Sequence, residues 1–561
     1  MPKLQRLFPF LSWPRPDATL LRGEMLAGLT VGLMIIPQGV AYAALAGMPL
    51  VTGIYASLLP ALVAVLFSAS TRLSVGPTAL TCLLVGTSLH GLAEPGSTHW
   101  VELAVWLALL TGTLQVVLGF VRFGWLLNLI SSPVLMGFTQ AAALLIIASQ
   151  LPAVLGVETS WRQWLAAPHL HAASTAFGLI SLALLVLARR WRPAFPSVLF
   201  IVAAMAAISA WAGFEASGGK VVGALPAGLP SLYLPGLPNW HTLGQLLLPT
   251  LVITLVSFLE TASSAKVENQ GEGQIWNQNQ DLIGQGLAKI ASGLSGAFPT
   301  SSSFSRSALN IYAGAKTGWA TVASVGVVVI ALLLLTPELR YVPQAVLAAI
   351  VLVAVVGLLK PMAFVRLWRV SRVEAVTAGV TFFITLAAAP RLYWGVLAGV
   401  LMALSHFLHH RLHPRIIEVG LHPDGSLRDR HLWNLPPLAP QLVALRMDAD
   451  LDFAAASGFE RAITEHLAAC PDARQLCLFA QPINRIDATG LETFSQIRRQ
   501  LGARGITLHL SGIKLPVEAV LRRAGELTDN PLLKFYRTDT ETLAALGRLH
   551  EDPPDMAAAT I

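Results

Sequence analysis

The sequence is poor in charge. Only 12% of its 561 residues are Asp, Glu, Lys or Arg, whereas 54% are hydrophobic and the mean hydropathy is +0.62. Soluble domains contain about 25% charged residues, so these values exclude a protein that is soluble along its whole length. Most of the chain is therefore expected to lie in a lipid bilayer.

Cysteines and the motifs of nucleotide and metal chemistry are also scarce. The three cysteines, Cys82, Cys470 and Cys477, are too few for a disulfide framework, and the last two fall in the more polar C-terminal part, where free thiols fit a reducing cytoplasm. The Gly-Gly-Lys stretch at 218–220 lacks the spacing of a phosphate-binding loop, which argues against an ATP-driven pump. No nucleophile or metal-hydrolase motif is found. The sequence therefore predicts a protein that is not an enzyme and needs no cofactor.

The composition changes near residue 411. Acidic residues are sparse before this point, and polar loops rich in Asp, Glu and Arg follow it. We predict a membrane domain over 1–411, a linker over 412–434, a cytoplasmic domain of ordinary size over 435–550 and a disordered tail over 551–561.

Apolar stretches in the first part give fourteen candidate membrane segments. Most approach the roughly 20 residues that a helical span needs, but the third and the tenth look short. The segments lie near 24–45, 50–68, 75–90, 101–121, 126–150, 172–189, 195–214, 243–265, 281–297, 305–315, 318–336, 343–359, 374–389 and 392–410.

Basic residues set the predicted orientation. If the N-terminus lies inside, alternating loops place about seventeen Lys and Arg residues inside and about four outside, as the positive-inside rule expects. This distribution explains the net charge of +7 without a nucleic-acid partner. We predict a multi-pass protein of a bacterial inner membrane with both termini in the cytoplasm.

A polar run interrupts the membrane region at 299–307. It reads Pro-Thr-Ser-Ser-Ser-Phe-Ser-Arg-Ser and places Arg306 at membrane depth. An Arg at the centre of a span costs about 2.5–3.5 kcal/mol, and lipid cannot hydrogen-bond a broken backbone, so such a run must be buried in protein or line a wet cavity. A helix that begins here would direct free N–H groups, its positive dipole end and Arg306 at one place. The run therefore predicts an anion site and an anion transporter.

The two short segments occupy matching places, third and tenth of fourteen. The first opens with Ser-Val-Gly-Pro-Thr at 74–78 and the second with Phe-Pro-Thr-Ser at 298–301. Both place hydroxyls after a proline, as helix N-termini prefer. Seven spans plus seven, each with a broken third helix, is the pattern of an inverted-repeat transporter. The alternative is a pair of proline kinks in ordinary helices.

Four segments resemble the signature segments of the SulP anion permeases. They are Ile-Pro-Gln-Gly-Val-Ala-Tyr at 36–42, Gly-Ile-Tyr-Ala at 53–56, Ser-Val-Gly-Pro at 74–77 and Phe-Ser-Arg-Ser-Ala-Leu-Asn at 304–310. This family includes bacterial sulfate, dicarboxylate and bicarbonate transporters and the animal proteins pendrin and prestin. The resemblance covers nearly the whole chain, and it implies a core and a gate domain that move in an elevator-like cycle, and a homodimer.

The resemblance also implies a substrate pocket built from amide, hydroxyl and guanidinium donors, which suit an oxyanion. For Gln38 the alternative is hydrogen bonding between helices, and for Tyr42 it is a packing role. The implied residues are Gln38 and Tyr42 on the first span, Thr78 and Ala79 at the third helix, and Ser303, Ser305 and Arg306 at the tenth.

Glu260 is the clearest carboxylate within a predicted span. A lone intramembrane Glu suits a proton carrier, and the resemblance links this position to cation coupling. A sodium-coupled member has Asp here with a hydroxyl four residues later, where this chain has Glu260 and Ser264, and Glu rather than Asp favours H⁺ over Na⁺. Lys289 departs from the Asn common in the family. It would pair permanently with Glu260, cap other carbonyls or take part in the cycle.

The C-terminal part alternates predicted strands, at 442–447, 476–478 and 506–510, with helices at 454–469, 490–501 and 517–524. This α/β pattern resembles a STAS domain, and Arg-Ile-Asp-Ala-Thr-Gly-Leu-Glu at 485–492 is similar to its loop-to-helix signature. Thr489 takes the place of a serine that is phosphorylated in the related anti-sigma-factor antagonists. Regulation through Thr489 is one hypothesis, and a simple helix cap is the other. The domain is expected to support dimerisation or to bind a cytoplasmic protein.

Four histidines, His406, His409, His410 and His413, follow helical spacing where the last span meets the cytoplasm. Such spacing could bind a metal or sense pH. The alternative is that histidines are simply favourable near a helix C-terminus.

The sequence as a whole predicts an all-α polytopic membrane protein of fourteen segments, arranged as a 7+7 inverted repeat and followed by an α/β STAS domain. Its predicted function is H⁺-coupled sulfate uptake. A C4-dicarboxylate is the second candidate substrate and bicarbonate the third, because hydroxyl and amide donors suit all three. Na⁺ symport, anion exchange, an uncoupled channel and a membrane-tethered regulatory scaffold are the alternatives. A nucleobase carrier is disfavoured, since a neutral base gives Arg306 no role.

Overall fold

The computed structural model of the protein describes residues 8–125, 131–157, 171–191, 197–226, 228–270, 276–334, 336–528 and 530–551. Contacts within the chain divide it into two compact units, Met1–Ala403 and Leu404–Ile561. We refer to them as the membrane unit and the C-terminal unit.

The described residues of the membrane unit form helices and two very short strands. Leu, Val, Ala and Gly dominate these helices, and the bilayer favours helices because they satisfy their backbone groups internally. In chain order the elements up to the middle of the unit are α1 Ala18–Leu45, α2 Thr52–Tyr55, α3 Leu59–Phe67, β1 Val75–Gly76, α4 Ala79–Leu89, α5 Thr98–Phe120, α6 Ser132–Val154, α7 Ala172–Trp191 and α8 Ser197–Trp211. They are followed by α9 Trp240–Gln270, α10 Gln278–Leu294, β2 Ser301–Ser302, α11 Phe304–Tyr312, α12 Trp319–Leu334, α13 Thr336–Leu339, α14 Gln344–Val356, α15 Pro361–Val370, α16 Arg372–Ala387 and α17 Tyr393–Leu412, whose last nine residues lie beyond the boundary at 403.

Each of the fourteen predicted segments contains helix, and the second contains two short helices, α2 and α3. The predicted helical membrane part is therefore confirmed, while the number of fourteen spans stays a prediction. By length and hydropathy alone, six described stretches could cross a membrane. These are Ala18–Leu45, Thr98–Phe120, Ser132–Val154, Ala172–Trp191, Trp240–Lys266 and Gln344–Val370.

Glycines allow the backbones of α5 and α10 to approach closely. A Cβ atom added at Gly112 would lie 2.7 Å from the carbonyl oxygen of Gly286, and one added at Gly286 would lie 2.6 Å from that of Gly112. Small residues at such crossings are typical of membrane helix pairs. The approach lets Lys289 of α10 reach Gln115 of α5.

The C-terminal unit contains a six-stranded sheet with the order β4-β3-β5-β6-β7-β8. Strands β5 to β8 are parallel, and β3 is antiparallel to both β4 and β5. Alternate residues of each strand face opposite sides, so Val443 and Leu445 pack in one core cluster and Leu442 and Ala444 in another. The elements are β3 Ile416–Leu421, β4 Leu427–Asp429, β5 Leu442–Met447, α18 Ala456–Ala469, β6 Gln475–Phe479, α19 Ala488–Ala503, β7 Thr507–Ser511, α20 Leu515–Arg523, β8 Leu533–Tyr536 and α21 Asp539–Glu551.

The predicted α/β pattern of this unit is confirmed, and one boundary differs from expectation. Strands β3 and β4 occupy the predicted linker at 412–434 and belong to the sheet. The turn between them, with Gly425 at φ +82°, closes a hairpin that local composition alone does not distinguish from a loop. The predicted disordered tail at 551–561 lies outside the described residues, except that Glu551 ends α21.

Candidate functional site

A two-stranded pairing joins the two broken segments. Val75 lies opposite Ser302 and Gly76 opposite Ser301, in antiparallel register. The Ser303 N–H donates to the Ser74 carbonyl oxygen at 2.9 Å, which extends the pairing by one residue. Because the strands are antiparallel, α4 and α11 leave this crossing in opposite directions. The segments are therefore interrupted helices, and the alternative of two proline kinks does not describe them.

Each half-helix begins with a hydroxyl cap beside the crossing. Thr78 accepts from the N–H of Thr81 at 3.4 Å, and Ser303 accepts from the N–H of Arg306 at 3.5 Å. Ala79 is the first residue of α4 and is buried. The two helix N-termini, each carrying the positive end of a helix dipole, thus belong to one local structure.

Arg306 lies across the strand pair. Its Nε donates to the Ser74 hydroxyl at 3.2 Å, and a Cβ added at Gly76 would lie 3.4 Å from its Nη2. The side chain is 2% exposed, and Nη2 is buried without a hydrogen-bond partner. Among the described residues no carboxylate forms an ion pair with Arg306. Its positive charge is therefore neither neutralised by a partner nor screened by solvent.

Gln38 and Ser305 face a common cavity of about 320 Å³. One wall comes from α1 and α11, and the other from α7, α8 and α14, where Arg189 donates to the Val353 carbonyl oxygen at 2.9 Å. Ser305 is exposed in the first turn of α11, and its hydroxyl lies 3.4 Å from that of Ser303.

The structure does not bring all the predicted substrate residues into this cavity. Two of the predicted residues, Gln38 and Ser305, are among the described residues that line it. The other five predicted residues do not line it, and these are Tyr42, Thr78, Ala79, Ser303 and Arg306. Tyr42 lies one helical turn after Gln38 and packs in the apolar core of the membrane unit. The others belong to the strand crossing and the two caps beside the cavity residue Ser305.

Glu260 of α9 contacts the N-terminal turn of α4. The hydroxyls of Thr78 and Thr81 both donate to its Oε2 at 3.1 Å. The carboxylate is half-buried. Ser264, the predicted second coupling residue, donates instead to the backbone carbonyl oxygen of Glu260 at 2.9 Å. The predicted coupling carboxylate and one predicted anion residue are therefore hydrogen-bonded to each other.

Lys289 is fully buried and donates to Oε1 of Gln115 at 2.9 Å. The amide of Gln115 in turn donates to the Ser257 hydroxyl at 2.9 Å, one helical turn before Glu260 on α9. Within the described part of the chain, no ion pair joins Lys289 to Glu260. The first alternative for Lys289, a permanent ion pair with Glu260, is thus not present. The second was that Lys289 caps backbone carbonyl groups, and the partner that the structure shows is instead the side-chain amide of Gln115.

The other buried carboxylates of the membrane unit bind backbone N–H groups near helix ends. Glu24 accepts from the N–H groups of residues 316 and 317 at 2.9 Å, and Asp281 accepts from the Ser70 N–H at 2.9 Å. Glu268 accepts from the Arg72 N–H and pairs with its guanidinium at 3.3 Å. These contacts fix the fold, whereas Glu260 is bonded to two side-chain hydroxyls at the interrupted helix.

Sequence reasoning missed three polar residues of this region. Thr81 follows Thr78 by three positions and so shares its helix face, which is a usable signal. Ser74 belongs to a signature motif, but the motif does not indicate that its hydroxyl binds Arg306. Gln115 gave no signal, because a single Gln in an apolar helix does not indicate which helix its partner lies on.

In the C-terminal unit, Asp487 caps α19 by accepting from the Gly490 N–H at 2.8 Å, and it also accepts from the Phe453 N–H at 2.9 Å. Burial raises the pKa of Asp487, but these hydrogen bonds outweigh it and hold the pKa below its usual value. Thr489 lies exposed in the first turn of α19. A helix cap is therefore present, and regulation through Thr489 stays a prediction.

The four histidines at and just after the end of α17 form three ring contacts, one of them between the His409 and His410 rings, with centroids 6.2 Å apart. The His406 and His410 rings, and the His409 and His413 rings, have centroids 4.4 Å apart. Within the described residues no group of three or more His, Cys, Asp or Glu side chains is arranged to hold a metal.

Comparisons with known proteins agree along the length of the chain. The model of the sulfate permease family matches residues 21–381, and the model of the STAS domain matches 437–540. "Probable sulfate transporter 4.2" of Arabidopsis thaliana is 33% identical over 552 residues, which are 93% of this chain and 81% of that protein. A "Probable sulfate transporter" of Mycobacterium tuberculosis is 33% identical over 519 residues, which are 90% of this chain and 92% of that protein.

A solved structure gives the same fold. The murine Solute Carrier 26 family member A9 anion transporter, in its inward-facing state, matches with a TM-score of 0.87 at 21% identity. The match covers 98% of this chain and 95% of that chain.

Proposed function

This chain belongs to the sulfate permease family, whose members are membrane anion transporters and not enzymes, and from that premise we propose that it takes up sulfate together with a proton across a bacterial inner membrane. The names of its relatives support sulfate as the first candidate. Proton coupling, the position of the anion site and the movement of the protein are argued from the positions of Arg306, Glu260 and the cavity.

The observation that carries the proposal is the crossing of β1 and β2 with Arg306 over it. Two half-helix N-termini meet there, and each favours an anion. The buried guanidinium adds a full positive charge that no described carboxylate neutralises. A dianion at Ser305 and Gln38 would gain from all three, which favours sulfate over a monovalent anion.

Glu260 is the proposed proton carrier. It is bonded to Thr78, the cap of the half-helix that would face the anion. An ionised Glu260 would repel a dianion bound nearby, whereas a protonated one would not. Anion and proton would therefore load together, which is the requirement for symport.

The proposed movement carries the site as one body. Main-chain hydrogen bonds tie α4 to α11 through the strand crossing, and the cavity separates α1 and α11 from α7, α8 and α14. Sliding of the first group past the second would expose the site alternately to each side, in an elevator-like cycle. We further propose a homodimer with both termini in the cytoplasm.

The test is uptake of radiolabelled sulfate and fumarate into proteoliposomes, with and without an inward proton gradient. Wild type should accumulate sulfate only with the gradient, and Glu260→Gln should lose this accumulation. Glu338→Gln, at an exposed site, is the matched control. Gradient-driven uptake of fumarate alone would make a dicarboxylate the substrate. Uptake that depends neither on the pH gradient nor on Glu260 would refute the proton role and favour sodium coupling, exchange or a channel. Uptake of neither anion would favour bicarbonate as the substrate or the scaffold function.

A further inference from the structure

A second cavity, of about 420 Å³, lies on the membrane unit away from the strand crossing. It is enclosed by α6, α15 and α16, and nearly all of its lining is apolar. Phe364 of α15 packs against Phe382 of α16, with ring centroids 5.7 Å apart, so that α15 folds back and leaves a cleft beside the contact. The lining residues include Leu144, Leu359, Phe364, Gly379, Phe382 and Phe383.

The segment around α15, which borders this cavity, is basic, and we call its four basic residues the basic rim. Lys360, Arg366, Arg369 and Arg372 precede, lie on or follow α15, and all four side chains are exposed. Glu374 is the one acidic residue between 360 and 388. Among the described residues none of the four basic side chains forms an ion pair. The rim therefore carries positive charge that is available to a partner.

The same helix has exposed apolar side chains beside its basic ones. Met362, Trp368 and Val370 are each more than half exposed. A short helix with basic and bulky apolar side chains is typical of the interface between lipid headgroups and acyl chains. The positive-inside rule predicts that this interface is the cytoplasmic one.

Gln140 places an unused donor in the wall of the cavity. It is 4% exposed, and its Oε1 accepts from the Lys360 N–H at 3.1 Å. Its Nε2 is buried and has no hydrogen-bond partner. An unpaired buried amide is unfavourable, so this donor calls for a ligand that brings an acceptor oxygen into an otherwise apolar cleft.

We propose that this cavity binds one anionic phospholipid, such as phosphatidylglycerol. An acyl chain would fill the apolar cleft, an ester or phosphate oxygen would accept from Gln140 Nε2, and the headgroup would lie against the basic rim. A soluble phosphate would leave the apolar lining unused, and a neutral lipid would leave the basic rim unused. Basic pockets between membrane helices on the cytoplasmic side are known to suit anionic headgroups.

The test is native mass spectrometry of the full-length protein in detergent, titrated with dioleoyl phosphatidylglycerol or with dioleoyl phosphatidylcholine. Wild type should bind one phosphatidylglycerol per chain, and the phosphatidylcholine should bind more weakly. The double variant Arg366→Gln, Arg369→Gln should lose about 25-fold in affinity for phosphatidylglycerol, because each basic residue near an anionic lipid contributes about fivefold. The exposed pair Arg340→Gln, Arg391→Gln is its control.

The cavity itself is tested by filling it. Gly379 lines the cavity, and no atom lies within 4 Å of a Cβ added there, so Gly379→Leu should project into it and weaken phosphatidylglycerol binding about tenfold. Gly326→Leu, a helical glycine with equal space but outside the lining, should bind as wild type does.

Three results would overturn the proposal. One is equal binding of the two lipids to wild type, and another is unchanged binding by Gly379→Leu. The third is displacement of the lipid by millimolar glycerol phosphate, which would indicate a site for a soluble phosphate. None of these measurements depends on transport, so the proposal stands or fails independently of the proposed substrate.

Discussion

Replacing Arg306 by Gln tests whether its charge acts on the transported anion. The guanidinium is 2% exposed, so solvent screens it little, and an effective dielectric constant of about 20 applies. Arg306 follows the cavity residue Ser305 directly. If the negative charges of a bound sulfate lie about 8 Å from the guanidinium, Coulomb's law gives about 2 kcal/mol for each of them, or about 4 kcal/mol for sulfate. Arg306→Gln should therefore raise the half-saturating sulfate concentration by about three orders of magnitude.

Arg306→Lys is the informative companion variant. It keeps the charge but gives up the guanidinium hydrogen bond to Ser74, which is worth about 0.5–1.5 kcal/mol, so the half-saturating concentration should rise only about 2- to 12-fold. Arg340→Gln, at an exposed position, should behave as wild type. The assay is the concentration dependence of radiolabelled sulfate uptake into proteoliposomes.

Stability separates this explanation from a structural role. A charge buried without an ionic partner is costly to the folded state, so Arg306→Gln should unfold in detergent at the wild-type temperature or above it. A marked drop in the unfolding temperature, or a sulfate affinity equal in Arg306→Gln and wild type, would refute the reasoning.

Three further predictions concern the stability of the full-length protein. Gln115→Leu leaves the buried ammonium of Lys289 without its described partner and should destabilise the membrane unit by about 3–5 kcal/mol, seen as a lower unfolding temperature in detergent. Burial lowers the pKa of His509 from 6.5 to about 4, so the folding stability that is present above pH 6.5 should fall by about 2 kcal/mol at pH 5. Limited proteolysis of the C-terminal unit should show this loss of stability in wild type and not in His509→Phe. Gly490→Ala places a Cβ 2.1 Å from a backbone carbonyl oxygen and should destabilise that unit by about 2 kcal/mol or more. Gly502→Ala, where no atom lies within 4 Å of the added Cβ, should be neutral or stabilising by up to about 1 kcal/mol. Equal resistance of the two variants to proteolysis would contradict this prediction.

The interrupted helices could be predicted because lipid leaves few options for a polar backbone. The run at 299–307 and the matching stretch at 74–78 each combine a proline with hydroxyl side chains, and a backbone that is broken at membrane depth must be buried in protein or line a wet cavity. Their pairing could not be predicted locally, since it joins residues more than 200 positions apart. The resemblance to a family supplied that link, and the structure supplied its register.

The details of the coupling region were harder to predict. The sequence placed Ser264 one turn after Glu260, but not the direction of its hydroxyl, which binds the helix backbone. The pairing of Lys289 with Gln115 depends on how closely two helices approach at Gly112 and Gly286. Such contacts follow from tertiary packing, which a single sequence does not encode in any short pattern.

Three short elements, α15, β3 and β4, could not be predicted for a different reason. A membrane span needs about 20 apolar residues, so the ten-residue helix α15 falls in a loop between two predicted spans. Strands β3 and β4 have six and three residues, and they became visible only as partners of β5. Elements of this size are defined by what they pack against.

The contact between Arg306 and Ser74 constrains how the protein is made. The two residues are 232 positions apart, so Ser74 is synthesised well before Arg306 and can enter the bilayer first. An isolated Arg at the centre of a span costs about 2.5–3.5 kcal/mol, and the hydrogen bond that receives its side chain exists only once Ser74 is in place. Biogenesis should therefore run in a fixed order, with the early half acting as the template onto which the late half-helix inserts.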